Sequence, residues 1–314
     1  MRLKLLSGLL IVASMSVAIA ARQQPAASAP EPMVVQTDKL ADTLYVMKGG
    51  GGNSAVFITG TGVVVVDTKN PGWGQPLLEA IRKVTGKPVT MIINTHSHGD
   101  HVSGNVEFPA TVDVVTHENT RKNMEAMRPA SFAAPPAGGP PPNIFVENKR
   151  RGMAKRSYKD AMTIGRGAEQ IELRYFGRAH TDGDTFVVFP ALRVMHTGDT
   201  FPNKRGPGID ANNGGSGVDY ARTLTNAADF AEKNNIDTII NGHSDTPTTR
   251  ADLREFSRFV RDYVAYAQAQ KKAGRTVDDA VSAWTMPASY TGYAATTPAM
   301  RNKTNFELIY RETK

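Results

Sequence analysis

The sequence predicts an α/β fold, from three observations. Short apolar runs rich in β-branched residues are set off by glycine clusters, apolar residues at helical spacing lie between such runs, and the alternation recurs in the second half of the chain. The first runs are Leu44-Tyr45-Val46, Ala55 to Ile58 and Val63 to Val66, separated by Gly49 to Gly52 and Gly60-Thr61-Gly62. Runs this short between turn residues read as strands. From Gly74 to Val84, Leu77, Leu78, Ile81 and Val84 recur at helical spacing, and Gly86 with Pro88 stops the helix before a strand at Val89 to Ile93. The second alternation runs through a strand at Val112 to Val115, a helix across His117 to Met127, and strands near Ile171 to Phe176, Thr185 to Phe189 and Leu192 to Met195. A helix at Tyr220 to Lys233, a strand at Asp237 to Ile240 and an amphipathic helix at Arg250 to Lys271 complete it.

The chain has 314 residues, enough for one large domain or two small ones. Arg2 and Lys4 precede an uncharged apolar run, Leu5 to Ala18, that ends in small residues and falls short of a bilayer's thickness. Residues 1–21 therefore read as a signal peptide and 22–32, rich in Ala, Pro, Gln and Ser, as a flexible leader. A folded domain is expected over 33–314, in a periplasmic or secreted protein with no membrane attachment after cleavage. With no Cys, an exported chain has neither disulfides nor a thiolate to offer a metal, so any metal site uses nitrogen and oxygen. The net charge of +7 comes from scattered Lys and Arg with one denser stretch, Lys149 to Lys159. A solvated basic face accounts for it, and no nucleic-acid partner is expected. Oligomeric state is not readable.

The chemistry is concentrated in His96-Ser97-His98-Gly99-Asp100-His101. In an extended segment, residues two apart point the same way, so His96 and His98 can grip one ion from one side. Gly99 is expected to let the chain turn sharply and aim Asp100 and His101 at a second position nearby. Further candidates stand at the ends of expected strands: His180, Asp199 and His243. Turns at strand ends are where distant segments converge.

These residues resemble the metallo-β-lactamase superfamily, with its His-x-His-x-Asp-His signature followed by His, Asp and His. The resemblance extends over nearly the whole mature chain, from the Gly-rich start and Gly62 to Asp67 through the order and spacing of the later ligands. It implies a four-layer αββα sandwich with a metal site at one edge. It also implies that His96, His98 and His180 hold a first metal, that Asp100, His101 and His243 hold a second, and that Asp199 bridges both. Zinc is the expected metal, with iron or manganese as alternatives. The β-lactamases of the superfamily usually have Cys or Ser where this chain has Asp199, whereas the glyoxalase II and lactonase branches resemble it.

The implied activity is that of a metal-dependent hydrolase acting on a small-molecule substrate, in which a metal-bridging hydroxide opens a C–N, C–O or C–S acyl bond. Asp100 is the expected catalytic residue, orienting the nucleophile and carrying its proton to the leaving group. A β-lactamase-like reaction, a lactonase or thioesterase, a phosphodiesterase and an iron-dependent redox enzyme all stay open. Neighbouring residues carry paired readings. Asp67 either fixes a ligand histidine or caps a turn, and Asp182 and Asp184 either support His180 or shape its turn. His117 reads as a helix cap and His196 as a buried or supporting histidine. The Pro-rich stretch Arg128 to Pro142 is either a flap beside the site or a passive loop. Lys204 and Arg205, in the loop Phe201 to Val218, either meet a substrate carboxylate or face solvent.

Overall fold

The computed structural model describes residues 33–133, 139, 142–245, 248–294 and 299–314. The signal peptide and leader expected over 1–32 lie outside the described residues, as do 134–138, 140 and 141 of the Pro-rich stretch.

One sheet contains β1 (Gln36–Ala41), β2 (Leu44–Lys48), β3 (Ser54–Ile58), β4 (Val63–Val66), β5 (Val89–Ile93), β6 (Asp113–His117) and β7 (Arg156–Tyr158), paired in that order. The strands run antiparallel from β1 to β4 and parallel from β4 to β7. The second sheet has the order β13 (Thr248–Thr249), β12 (Thr238–Ile240), β11 (Val194–His196), β10 (Phe186–Phe189), β9 (Ile171–Arg174) and β8 (Ala161–Ile164).

Strand alternation sorts the side chains into three apolar layers. Val64 and Val66 point between the sheets, with Phe57, Ile93, Val187, Phe189 and Ile240, while their neighbours Val63 and Val65 point outward to a helix. That helix is α1 (Gly74–Val84), whose Leu77, Leu78, Ala80 and Ile81 cover the first sheet. The outer face of the second sheet, including Phe186, Val188 and Met195, is covered by α5 (Gly217–Lys233), α6 (Arg250–Lys272) and α8 (Ala299–Glu312). Phe57 and Phe189 meet across the sheet interface with ring centroids 5.1 Å apart. Helix, sheet, sheet and helix make the αββα sandwich that the sequence resemblance implied.

The strongly periodic elements start and end close to where the sequence placed them. His117 caps α3 (Glu118–Ala126), its Nδ1 accepting from the amide of Asn119. The helices α2 (Gly99–Val102), α4 (Ile144–Glu147), α7 (Val277–Ala283) and α8 and the strands β1, β7, β8 and β13 have no counterpart in the sequence reading. Among the described residues no helix is long and apolar enough to cross a membrane.

Candidate metal centre

Every candidate ligand follows the carboxyl end of a strand: His96 to His101 after β5, His180 in the connection from β9 to β10, Asp199 after β11 and His243 after β12. The two sheets present these ends along one rim, where ligand sites of α/β proteins gather. His98 lies on extended backbone, while His96 falls in the bend just after β5. The turn that follows is a correction. His98 (φ −66°, ψ 145°) is the N-cap of α2, and Asp100 and His101 are aimed by that helical turn, so Gly99 supplies no glycine-only backbone angle.

Two donor groups result. His96, His98, His180 and Asp199 form one, and Asp100, His101 and His243 the other; within each, one donor atom per residue lies within 4.8 Å of the rest. In the first, His180 Nε2 stands 3.1 Å from His98 Nδ1. In the second, His243 Nε2 stands 3.4 Å from His101 Nε2 and 3.2 Å from Asp100 Oδ2. Asp199 reaches both: its Oδ2 is 3.9 Å from His180 Nε2 and 3.2 Å from His243 Nε2, and its Oδ1 is 3.2 Å from His101 Nε2.

The surroundings fix which nitrogen of each ring is free. His101 donates from Nδ1 to Asp67 Oδ2 at 2.7 Å, His98 from Nε2 to Asp210 Oδ2 at 2.7 Å, and His180 from Nδ1 to the Gly208 carbonyl at 2.7 Å. His96 Nδ1 lies 3.0 Å from Thr95 Oγ1, whose proton goes to Asp67 Oδ2. In each case the opposite nitrogen is left as an acceptor facing the donor group, the arrangement in which outer carboxylates and carbonyls hold metal-binding histidines. His96 Nε2 is buried without a hydrogen-bond partner among the described residues. A buried polar atom left this way is costly unless something else satisfies it. A nitrogen and oxygen set of this kind fits divalent cations such as zinc.

Electrostatics separate the two groups. Burial, reinforced by His101 and His98, holds His96 well below the ordinary imidazole range, and burial together with His98 brings His180 down to about 4. Burial would also lower His101 and His243, but Asp199 and Asp100 outweigh it, lifting His101 well above its usual value and His243 to about 9. For Asp100, burial pushes upward, and His101 with His243 overcomes it, leaving the carboxyl at about 2.

Close approach at the rim depends on two glycines. A Cβ on Gly52 would stand 2.1 Å from His101 Cε1, and one on Gly242 would stand 1.9 Å from Asp199 Oδ1. Above the donors opens a cavity of about 510 Å³, walled by Met127 to Ala130, Phe132, Arg205 and Arg301. The described start of the Pro-rich stretch is therefore part of the site. Ser131 donates from its amide to Asp210 Oδ1 and from its hydroxyl to the Ile209 carbonyl, and the Phe132 ring packs 6.0 Å from His98 and 5.9 Å from His180.

Asp67 is a supporting carboxylate, fully buried and accepting from His101 and from the Thr95 amide and hydroxyl. Asp184 shapes the turn after His180 by accepting from the Thr181 amide and hydroxyl, and burial lifts it to about 7. Asp182 accepts from Asn123 and takes no part in the donor groups. His196 is structural, with Nε2 on the Asn53 carbonyl and Nδ1 accepting from the Gly198 amide. Lys204 turns away from the cavity to the Thr291 carbonyl and Glu255, leaving Arg205 at the mouth.

Sequence reasoning missed Asp210, Lys69 and Arg301. Asp210 lies in the loop Phe201 to Val218, which sequence reasoning read for Lys204 and Arg205 alone. Lys69 is fully buried, its ammonium donating to the carbonyls of Met47 and Gly52 at 2.6 Å each, so it ties the glycine loop to the His101 side of the site. The signal for Asp210 is its neighbour pair Asn212 and Asn213, whose amides its side chain accepts in an Asx turn.

Comparison with known proteins agrees with this geometry. The model of the metallo-beta-lactamase superfamily matches residues 47–243, a shorter span than the nearly complete mature chain expected from sequence. A metallo-beta-lactamase type 2 of Elizabethkingia meningoseptica is 26% identical over 225 residues, covering 67% of this chain and 79% of that protein. The alpha subunit of 2,4-dinitroanisole O-demethylase from Nocardioides sp. (strain JS1661) is 28% identical over 144 residues, 45% of this chain and 38% of the relative. Among solved structures, a metallo-beta-lactamase from Pontibacter korlensis superposes with a TM-score of 0.57 at 17% identity, covering 72% of this chain and 99% of that one. DIM-1 metallo-beta-lactamase superposes with a TM-score of 0.56 at 16% identity, covering 73% and 98%. With the fold, the donor groups and a family match over 47–243 in agreement, the chain belongs to the metallo-beta-lactamase superfamily.

Proposed function

We propose that this protein is an exported hydrolase with two metal ions, zinc in the first instance, that opens a C–N, C–O or C–S acyl bond of a small molecule. The observation that carries this reading is Asp199, whose two oxygens face both histidine groups. Export rests on the composition of residues 1–21.

Cations held in such a donor set supply Lewis-acid polarisation of a carbonyl and a water of lowered pKa. His96 and His180, both held below the ordinary imidazole range, are preformed to bind without losing protons. Asp100, side chain 31% exposed, lies between the second group and the cavity, so its Oδ2 can take the proton of the attacking water and hand it to the leaving group. Phe132 gives the cavity an apolar wall beside His98 and His180. The relative from Elizabethkingia favours a cyclic amide, and the carboxylate at Asp199 favours the lactone or thioester alternative.

The test is elemental analysis of the purified protein with a panel of chromogenic β-lactam, lactone and thioester substrates. We expect two metal equivalents and turnover of at least one class. Asp100→Ala should abolish turnover while the first equivalent stays bound. A metal-free protein, or silence on every class by metal-loaded enzyme, would overturn the reading.

A further inference from the structure

The basic stretch Lys149 to Lys159 begins in a turn after α4 that walls a second depression, of about 490 Å³. This depression shares no lining residue with the cavity above the donor groups. Arg121 of α3, Lys149, Arg150, Arg151 and Lys155 line it, and no carboxylate does. Arg150 is paired with Glu125 at 2.9 Å. Arg151 donates to the Phe108 carbonyl at 2.8 Å, and the Lys155 ammonium donates to the carbonyls of Ala110 and Val112 at 2.7 and 2.8 Å. Those contacts fix both heads without cancelling their charge. Arg121 and Lys149 make no ion pair or side-chain hydrogen bond among the described residues.

The turn is held in an unfavourable shape. Lys149 (φ +52°) and Arg150 (φ +64°) are consecutive left-handed residues, and Gly152 (φ +76°) follows. Left-handed backbone crowds any Cβ, which is why helix ends of this form usually take Gly or Asn. Packing imposes the conformation. The amides of Lys149 and Arg150 return to the carbonyls of Val146 and Phe145, and a Cβ on Gly152 would stand 2.8 Å from the backbone of Asn105 and Val106. Lys and Arg thus stand where a smaller neutral residue would fold more easily, and what they add is charge. Like charges gathered in this way repel one another until an anion joins them. With Arg150 offset by Glu125, four of the five cations are left, and a phosphate monoester carries about −1.5 to −2 at neutral pH. Two such groups match the excess.

We propose that this depression binds two phosphate monoester groups held close together, carried by a compact soluble molecule or by phospholipid headgroups, and gripped by Arg121, Lys149, Arg151 and Lys155. The site stands apart from the metal centre and does not depend on the hydrolase reading.

The test uses the metal-loaded full chain. Calorimetric titration of fructose 1,6-bisphosphate and of inorganic phosphate compares two phosphates with one. Sedimentation with phosphatidylcholine vesicles containing phosphatidic acid or phosphatidylglycerol separates a monoester headgroup from diester charge. The bisphosphate, or the phosphatidic acid vesicle, should bind about 10-fold more tightly than its single-phosphate or diester counterpart. Lys149→Asn keeps a residue that accepts left-handed backbone and removes the charge, so it should weaken that binding about 10-fold with a melting temperature no lower than the parent's. Arg121→Gln, at an exposed position of α3, should do the same. Loss of affinity without loss of stability is a result that a purely structural turn cannot give, and the ligand that responds to the substitutions identifies the source. No binding of either ligand, or affinity unchanged in both variants, overturns the proposal. So does binding of phosphatidylglycerol vesicles as tight as that of phosphatidic acid vesicles, or binding to an oligonucleotide alone with steep salt dependence, since either marks a general polyanion surface.

Discussion

Replacing Asp67 by Asn is the sharpest probe of how the second donor group is held. The position has φ +61°, which Asn tolerates as Asp does, so the backbone is not disturbed. The side chain is fully buried and accepts three hydrogen bonds, from the Thr95 amide at 2.8 Å on Oδ1, and from the Thr95 hydroxyl and His101 Nδ1 at 2.7 Å each on Oδ2. An amide cannot reproduce this. If its oxygen faces His101, its NH2 meets the N–H of Thr95; if its NH2 faces His101, that ring must shift its proton to Nε2 and lose its ligand nitrogen. Either arrangement leaves a buried donor unmatched, at about 1–3 kcal/mol. Loss of an outer partner of a ligand histidine also lowers metal affinity about 10- to 100-fold, or about 1.4–2.8 kcal/mol. Competition with a chromogenic chelator, read for both equivalents, should show the second bound 10- to 100-fold more weakly and the first affected far less, with a lower melting temperature. Two equivalents bound as tightly as in the parent would refute the role given to Asp67.

Two further outcomes follow from the same geometry. Gly52→Ala would place a methyl 2.1 Å from His101 Cε1 and should cost about 1–3 kcal/mol in stability and weaken the second equivalent, measured by thermal melting and chelator competition; a parent-like melt would rule out that contact. His243, at about 9, and His101, well above its usual value, are raised over the ordinary imidazole value of 6.5, so in metal-free protein their pairing with Asp199 and Asp100 stabilises the fold fully below pH 6.5 and is lost as pH rises through about 9. Metal must displace those protons, so affinity for the second equivalent should climb about tenfold per pH unit for each proton released between pH 6.5 and 9, whereas the first, with His180 at about 4, should stay flat there; calorimetry in buffers of different ionisation enthalpy counts the protons, and equal release by both equivalents would contradict it.

The candidate donors were legible because their chemistry is dense in sequence. Four of the seven sit in six consecutive residues, and the others end strands whose apolar periodicity is plain, as in Phe186 to Phe189. What supports the ligands was not legible, because its partners are joined only by folding. Asp210 meets His98 across 112 residues of chain, and Asn53 meets Asn241 across 188. The strand β1, Gln36–Ala41, escaped because it is an edge strand with its first four residues exposed, so it carries no apolar alternation. β7 is too short, at three residues, to show a period. Arg301 is unremarkable in sequence, one Arg on a polar helix, and gains meaning only when α8 carries it to the cavity.

Each donor group draws residues from both sheets, so its geometry depends on how those sheets are registered at the rim. Asn53, beside β3, donates from its amide to the Gly242 carbonyl at 2.6 Å and from its side chain to Asn241 and Ser244, holding the chain around His243. Its own carbonyl accepts from His196 at the end of β11, three residues before Asp199. On the other side, the amide of Thr185 donates to the carbonyl of Thr95, next to His96, at 2.7 Å, and Thr185 Oγ1 accepts from Tyr158 at the end of β7. These bonds are buried and made between strand ends, so they fix the separation of the ligand-bearing loops with protein groups alone. A cage assembled in this way needs little rearrangement to accept its ions, which is the condition under which binding free energy goes into affinity and not into ordering the loops.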